Sequence, residues 1–492
     1  MQAGRRVLLA HSYFLAHDEK QTRKMKPYPP LATLLVASVL RARGHEVSLF
    51  DAMLSKGVEE FGRRFGEARF DAVLLLEDNF NFLTKMCTTR MRQAALAMIA
   101  TAKSHGARVA ANGPDASDHP ELYLAAGADA VILGETERTV PELVEAWGDG
   151  EDRMAGIAGL ALPSPSGLVH RTPPRPFLTD LDALPLPAWD LVDISRYRAT
   201  WLRAHGRLSW NVVTTRGCPF HCNWCAKPLY GTRYAQRSPA SVAAEFAALA
   251  RTVRPDHVWF ADDIFGLTPR WIESFAEEVK ALGAGIPYTM QSRVDLMTPS
   301  AVAALAETGC EEVWMGVESG AQKVLDAMEK GTRVDQVRRA TRLLRHRGIR
   351  PSWFVQLGYP GETWADLLAT RDLMREEAPH DIGVSVSYPL PGTPFYERVR
   401  EQMRTQTNWS HSDELAMLFE GTYTGPFYRT IRDLLHAEAL LLAGLPGPMT
   451  AEAVDAAWND LARREADFRS ERTILPSATL PRAAAAGARD AS

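Results

Sequence analysis

No apolar run in this sequence approaches the roughly 20 residues that a membrane-spanning helix needs, so no span is expected. Cysteine is scarce, five in 492 residues and unevenly placed, which argues against a disulfide framework and fits a reducing cytoplasm. Lys and Arg form no extended basic block and the formal net charge is -4, so nucleic acid is not the expected partner. The opening "MQAGRRVLLAHSYFLAHDEK" has two arginines before a short apolar run, but His11 and Ser12 interrupt it and no small-residue cleavage site follows. It reads as a first buried strand and not as a signal peptide. The bulk composition, 46% hydrophobic and 24% charged, is that of an enzyme-sized soluble protein. Its length suits about two to four domains.

Residues 5 to 147 alternate short β-branched runs ("RRVLLAHSYF", "HEVSLFDA", "FDAVLLLED", "ARVAANG", "ADAVILGE") with helical stretches such as "PPLATLLVASVLRARG". This predicts an α/β, Rossmann-like unit over 1–147, a parallel sheet with helices on both faces. Such sheets bind ligands at the carboxyl ends of their strands, where Ser12, Asp78, Asn112, Gly113, Gly134 and Glu135 would lie. Prolines accumulate over 148–207, predicting a linker laid over the surface as extended segments. A second alternation, six strand-helix units from "SWNVVTTRG" to "DIGVSVSYPL", spans 208–400. That is short of a full TIM barrel and predicts a partial (β/α)6 barrel, open on one side to admit a large substrate, with its chemistry at the strands' carboxyl ends. Residues 401–470 read as a small helical cap or substrate-facing extension, and 471–492 as a disordered tail.

The densest chemical signal is "TTRGCPFHCNWCAKP", residues 214 to 228, which puts Cys218, Cys222 and Cys225 into one short loop directly after the first barrel strand. Three thiolates at this spacing can hold three irons of a four-iron cluster that normally takes four thiolates, leaving one iron open to a small molecule. Two other readings exist. One is a zinc knuckle with His221 as fourth ligand, although structural zinc usually draws on two separated ligand pairs. The other is a redox pair of Cys222 and Cys225, which leaves Cys218 without a role.

Cys218, Cys222 and Cys225, with Trp224 before the last, resemble the C-x3-C-x-aromatic-C signature of the radical S-adenosylmethionine (radical SAM) superfamily. "FADDIFG", "MGVESG", "QLGYPGET" and "YPLPGTP" resemble its later strand-end motifs, in order, over residues 208 to 400. The resemblance implies a [4Fe-4S] cluster on the three cysteines and S-adenosylmethionine chelated to its unique iron. Reductive cleavage then yields a 5′-deoxyadenosyl radical that takes hydrogen from substrate. It also implies that Asp262 and Asp263 meet the methionine ammonium, Arg293 its carboxylate, Glu318 the nucleoside, and Gly358 and Gly361 of "GYPGET" the adenine. Each has a structural alternative: helix capping for the aspartates, pairing with a neighbouring Arg for Glu318, turn chemistry around Pro360 for the glycines. A flavodoxin or ferredoxin is the expected electron donor.

The first 147 residues resemble the cobalamin-binding domain that precedes the barrel in a large class of radical SAM enzymes. "PYPPLATLLVASVLRARGHEVSLFDA", "ANGPDAS" and "GADAVILGETE" carry the likeness. Two departures stand out. The D-x-H-x-x-G segment that supplies a histidine to cobalt is absent, leaving His11 and His17 either near cobalt or simply hydrogen-bonded. Asn112 and Asp115 replace a Gly and a His, and the Asn112 side chain is expected to crowd a loop that should approach the corrin. A Rossmann-like scaffold without cofactor is the alternative.

Joined in one chain, the two domains imply a cobalamin-dependent methyltransferase acting on an unactivated carbon of a small molecule. A radical cyclase or ring-rearranging enzyme of the same domain pair is the second reading, and a non-catalytic cobalamin or S-adenosylmethionine sensor the third. A methylthiotransferase needs three further cysteines for its second cluster, but only Cys87 and Cys310 remain. Cys310 reads as a buried helix-strand junction and Cys87 as a loop thiol. Trp201, Trp210, Trp259, Trp314 and Trp353 either line an apolar cavity or belong to the core.

Overall fold

The computed structural model describes residues 4–80, 83–147, 151–164, 167–225 and 230–470; the tail expected over 471–492 lies outside the described residues. Strands β1 (Arg6–Ala10), β2 (Glu46–Phe50), β3 (Ala72–Leu76), β4 (Arg108–Asn112), β5 (Ala130–Ile132), β6 (Leu160–Pro163) and β7 (Val169–Arg171) form one sheet in the order β2-β1-β3-β4-β5-β6-β7. The first five pair in parallel. β3 reads AVLLL with every residue buried, as a strand covered on both faces requires. Alternate residues go to different cores. Leu8, Ala10, Val73 and Leu75 pack with helix residues Phe61, Met98 and Ile99. Val7, Leu9, Leu74 and Ile132 join a second core that runs without a break into the barrel.

The span read as a linker is more structured than its prolines suggest. β6 and β7 add to the first sheet antiparallel, and Ile194–His205 is a helix, capped by Asp193 at its start and by Gly206 (φ 69°) at its end. Trp189, Tyr197 and Trp210 pack edge to face in the continuous core. Tyr197 donates to Asp51 of the first domain (2.7 Å) and Trp201 to the carbonyl of Pro27 (2.7 Å). Segments too short and proline-rich to show a period still fold, because they bury aromatic side chains between the domains.

β8 (Ser209–Val212), β9 (Thr215–Arg216), β10 (Ala235–Gln236), β11 (His257–Phe260), β12 (Tyr288–Ser292), β13 (Cys310–Glu318), β14 (Arg350–Leu357) and β15 (Asp381–Val386) follow. Six of them make a parallel sheet in the order β15-β14-β13-β12-β11-β8, while β9 and β10 form a small antiparallel ladder. Three of the helices between them start where a hydroxyl precedes proline. Ser238, Thr268 and Thr298 each accept a backbone N–H of the first turn, with proline next in the helix. Ser238→Ala should cost about 1 kcal/mol, seen as a lower urea midpoint with cluster uptake unchanged.

The edge of the partial barrel is not simply open. Tyr28 of the first domain hydrogen-bonds Ser209 on β8 (3.0 Å) and packs on Trp259 of β11, ring centroids 4.9 Å apart. Asn211 of β8 donates to the Pro29 carbonyl (3.0 Å). At this level the first domain therefore fills the side where a large substrate was expected to enter. Trp201, Trp210 and Trp353 are buried core, whereas Trp259 and Trp314 are half-buried. Cys310 opens β13 and is buried, as is Cys87, which lies at the start of helix Thr88–Ser104.

Helices Gly425–Leu442 and Ala451–Arg463 pack together after the barrel. The segment before them reaches back to the first domain, where Asp18 accepts from the backbone N–H (2.8 Å) and hydroxyl (2.9 Å) of Ser412. Among the described residues no helix is long and apolar enough to cross a membrane.

Candidate active site where two sets of strand ends meet

Cys218, Cys222 and Cys225 are half-buried and none is in a disulfide. Their loop is built by residues other than the cysteines. Asp262, at the end of β11, accepts from the backbone N–H groups of Thr214 (2.7 Å) and Thr215 (2.8 Å) and from the Thr214 hydroxyl (2.7 Å). Gly217 follows at φ 70°, and a Cβ there would collide with the carbonyl of Arg233, so only glycine fits. Asn223, inside the loop, is buried. Its backbone N–H donates to Met328 O (3.1 Å), its amide to Ala327 O (2.9 Å), and its side-chain oxygen accepts from Tyr359 (2.9 Å). The loop is thus pinned at its stem and middle by residues other than its cysteines.

Two cations lie against it. Arg293, just after β12, places Nη1 3.7 Å from Cys222 Sγ and its guanidinium 3.7 Å from the Phe220 ring centroid. Asp295 (3.0 Å) and the Lys330 carbonyl (2.9 Å) hold it there. Lys330 pairs with Glu318 at 2.7 Å. Burial works against the Lys330 charge, yet the Glu318 carboxylate and Cys222 hold its ammonium above the usual lysine range. Glu318 itself takes φ 63°, costly for a residue with a side chain, at a register break between β13 and β14. Trp224 packs against the core beside Lys330, and its buried Nε1 has no partner.

Three thiols in one loop, with an arginine and a lysine beside it whose charge suits an anionic cluster, fit iron-sulfur ligation. Among the described residues no three His, Cys, Asp or Glu side chains are drawn together to hold a metal ion, so the fit is one of donor type and loop position. His221 is exposed.

The remaining expected positions divide. Asp262 is buried and spends both oxygens on Thr214 and Thr215; burial pushes its carboxyl up to about 7, against the pull of those donors. Asp263 is a third exposed and lies 3.6 Å from Lys85 of the first domain. Gly358 (φ 78°) donates its N–H to Glu362 (2.6 Å), whose carboxyl burial pushes up to about 8, and Gly361 takes φ 88° with open space beside it. Ser292 Oγ and Gln356 Oε1, at the ends of β12 and β14, are buried without a partner.

In the first domain, Ser12 donates its N–H (3.0 Å) and hydroxyl (2.7 Å) to Glu77. Asp78 accepts the N–H of Ala32 (3.3 Å), and burial pushes its carboxyl up to about 6. Asn112 does not crowd a loop: its amide donates to the carbonyls of Ile132 (2.9 Å) and Gly134 (3.1 Å), tying the ends of β4 and β5. Gly113 packs on Glu77, and nothing lies within 4 Å of where a Gly134 side chain would begin. Asp115 pairs with Arg92 (2.7 Å) and Tyr123 (2.8 Å). His11 is buried with Nε2 3.1 Å from both Asp51 and the Ala52 nitrogen, which gives it a hydrogen-bonded role; the His17 ring lies tilted against Phe14, centroids 5.0 Å apart. Glu77 Oε2 and Asn79 Oδ1 are buried without partners at the end of β3, polar groups that suit a ligand rich in amides.

Glu135 pairs with Arg216 of the barrel at 2.7 Å. Lys85 and Asp263, and Phe80 stacked on Tyr230 at 6.0 Å, make the same connection. The strand ends of β3 and β5 therefore meet those of β8 and β11.

Comparison with known proteins matches these two regions separately. The B12 binding domain model covers residues 26–144 and the Radical SAM superfamily model residues 212–374. The chain belongs to the radical SAM enzymes that carry a B12-binding domain. An uncharacterized methyltransferase of Pyrococcus horikoshii is 27% identical over 389 residues, 77% of this chain and 81% of that protein. The anaerobic magnesium-protoporphyrin IX monomethyl ester cyclase of Rubrivivax gelatinosus is 27% identical over 280 residues, 56% of this chain and 50% of the cyclase. Among solved structures, the radical S-adenosylmethionine methyltransferase TsrM of Kitasatospora setae, with cobalamin and a [4Fe-4S] cluster bound, superposes with a TM-score of 0.67 at 22% identity, over 81% of this chain and 78% of that one. This B12-binding radical SAM enzyme uses a [4Fe-4S] cluster, S-adenosylmethionine and cobalamin. Arg216, Asn223, Lys330 and Tyr359 carry no signal in the sequence. Lys330 and Glu318 are 12 residues apart and Tyr359 and Asn223 are 136 apart, so no local spacing marks them.

Proposed function

We propose that this radical SAM enzyme methylates an unactivated carbon of a small molecule, with Cys218, Cys222 and Cys225 holding the cluster. The observation that supports this is the meeting of the two sets of strand ends, where the first domain's β3 and β5 ends lie against the stem of the cysteine loop. When bound, the reduced cluster supplies the electron that opens the sulfonium, and cobalamin supplies a methyl carrier. The chain's own part is placement. Arg293 and Lys330 balance charge at the loop, Asn223 and Asp262 fix its course, and the half-buried Trp259 and Trp314 help keep water from the barrel interior. Gly361, with free space at its Cα, suits contact with a planar base. Flavodoxin or ferredoxin as reductant, and the cytoplasm as location, complete the proposal. Incubation with deuteriomethyl S-adenosylmethionine should deliver the label to product; a turned-over product without the label would sink it.

The cyclase reading draws on the Rubrivivax relative, of which this chain spans half. Product mass separates the two, since methylation adds a CH2 unit and cyclisation does not.

A further inference from the structure

Arg216 stands two residues before Cys218, and its side chain is almost wholly buried between two carboxylates of the first domain, Glu135 (2.7 Å) and Glu137. Both belong to "GETE", where the turn after β5 at Gly134 runs into the helix Thr136–Ala146. Glu135 is fixed in turn by the N–H of Leu178 (2.6 Å). On the barrel side Arg216 has no slack. It pairs with Ala235 across β9 and β10, Thr215 before it is held by Asp262, and Gly217 after it is wedged against Arg233. A second path runs parallel: the Arg216 guanidinium lies 5.6 Å from the Tyr230 ring centroid, and Tyr230 stacks on Phe80 after β3. So two strand-end turns of the first domain bear on the stem of the cysteine loop.

Burying three charges costs desolvation, and an apolar filling of the same volume is often as stable or more so. What a buried arginine fork does supply is fixed geometry, because it binds carboxylates in few orientations. We propose that Arg216 is a positioning residue that couples the two cofactor sites: a ligand seated on the turn at Gly134 braces the stem of the cysteine loop through Glu135, Glu137 and Arg216, and a loaded cluster braces that turn in return. This rests on the reading that both cofactors bind, and goes beyond it by making each occupancy favour the other, as linkage requires.

The test uses the full chain, cluster-free and anaerobically reconstituted, with hydroxocobalamin as probe. Wild type should bind hydroxocobalamin about 5-fold or more tightly once the cluster is in place. Hydroxocobalamin should in turn slow the loss of cluster absorbance under a chelator. In Glu137→Gln, which keeps the shape and removes one charge, and in Arg216→Lys, which keeps the charge and loses the fork, both effects should vanish while both cofactors still bind. A purely structural clamp would instead lower the urea midpoint of these variants and leave the affinity ratio as in wild type, and that result overturns the proposal. Equal affinities in wild type overturn it too, leaving the functional reading intact. Wild type that takes up the cluster but no hydroxocobalamin overturns both.

Discussion

Cys222→Ala is expected to give a folded chain that retains no cluster and forms 5′-deoxyadenosine only at background after anaerobic reduction. The fold should survive because the loop's course does not depend on its thiols: Asn223 ties it to residues 327 and 328, and Asp262 ties its stem. Cluster loading should not survive, because two remaining thiolates leave two cluster irons without a protein ligand. Arg293, held by Asp295 and the Lys330 carbonyl, would remain in place beside an empty corner. Iron and sulfide per chain, the visible spectrum and chromatography of the nucleoside products read the outcome. Cys310→Ala is the control, since that thiol is buried at the start of β13. Iron retention or deoxyadenosine formation in Cys222→Ala would overturn the assignment of the cysteine loop.

Most of the fold was legible because its elements announce themselves locally. β3 is an unbroken apolar run, three barrel helices open at Ser-Pro or Thr-Pro, and the cysteines sit within one loop. What was not legible depended on partners far off in the chain. Residues 148–207 look like a linker because prolines break their period, yet Trp189, Tyr197 and Trp201 fold them by burial against other elements. Glu135 looks like a strand-end ligand residue, and only the approach of Arg216, 81 residues later, turns it into half of an ion pair. Asn112 looks like an obstruction while its neighbours are unknown; the carbonyls of Ile132 and Gly134 give its amide a place along the sheet edge. Lys330 carries no motif, yet its ammonium faces the Trp224 ring and Cys222 of the cysteine loop.

The adjacent aspartates of "FADD" are expected to behave as opposites. Successive residues at a strand end face different ways, and here Asp262 turns inward to Thr214 and Thr215 while Asp263 reaches Lys85. Asp262→Ala would leave two backbone N–H groups and a hydroxyl unpaired in a buried place, at roughly 1–3 kcal/mol for each. The urea midpoint should fall by several kcal/mol worth of stability, and iron uptake should fall with it, since the stem of the cysteine loop loses its anchor. Asp262→Asn keeps the shape and one carbonyl acceptor and should lose less of both. Asp263→Ala removes a partly exposed pair and should cost about 0–1 kcal/mol, with the cluster fully loaded. S-adenosylmethionine binding to these loaded proteins then separates building from binding. If Asp263→Ala loses that binding at full iron content, the methionine ammonium belongs to Asp263. If Asp262→Asn loses it with stability untouched, Asp262 serves the cofactor and not the stem of the loop.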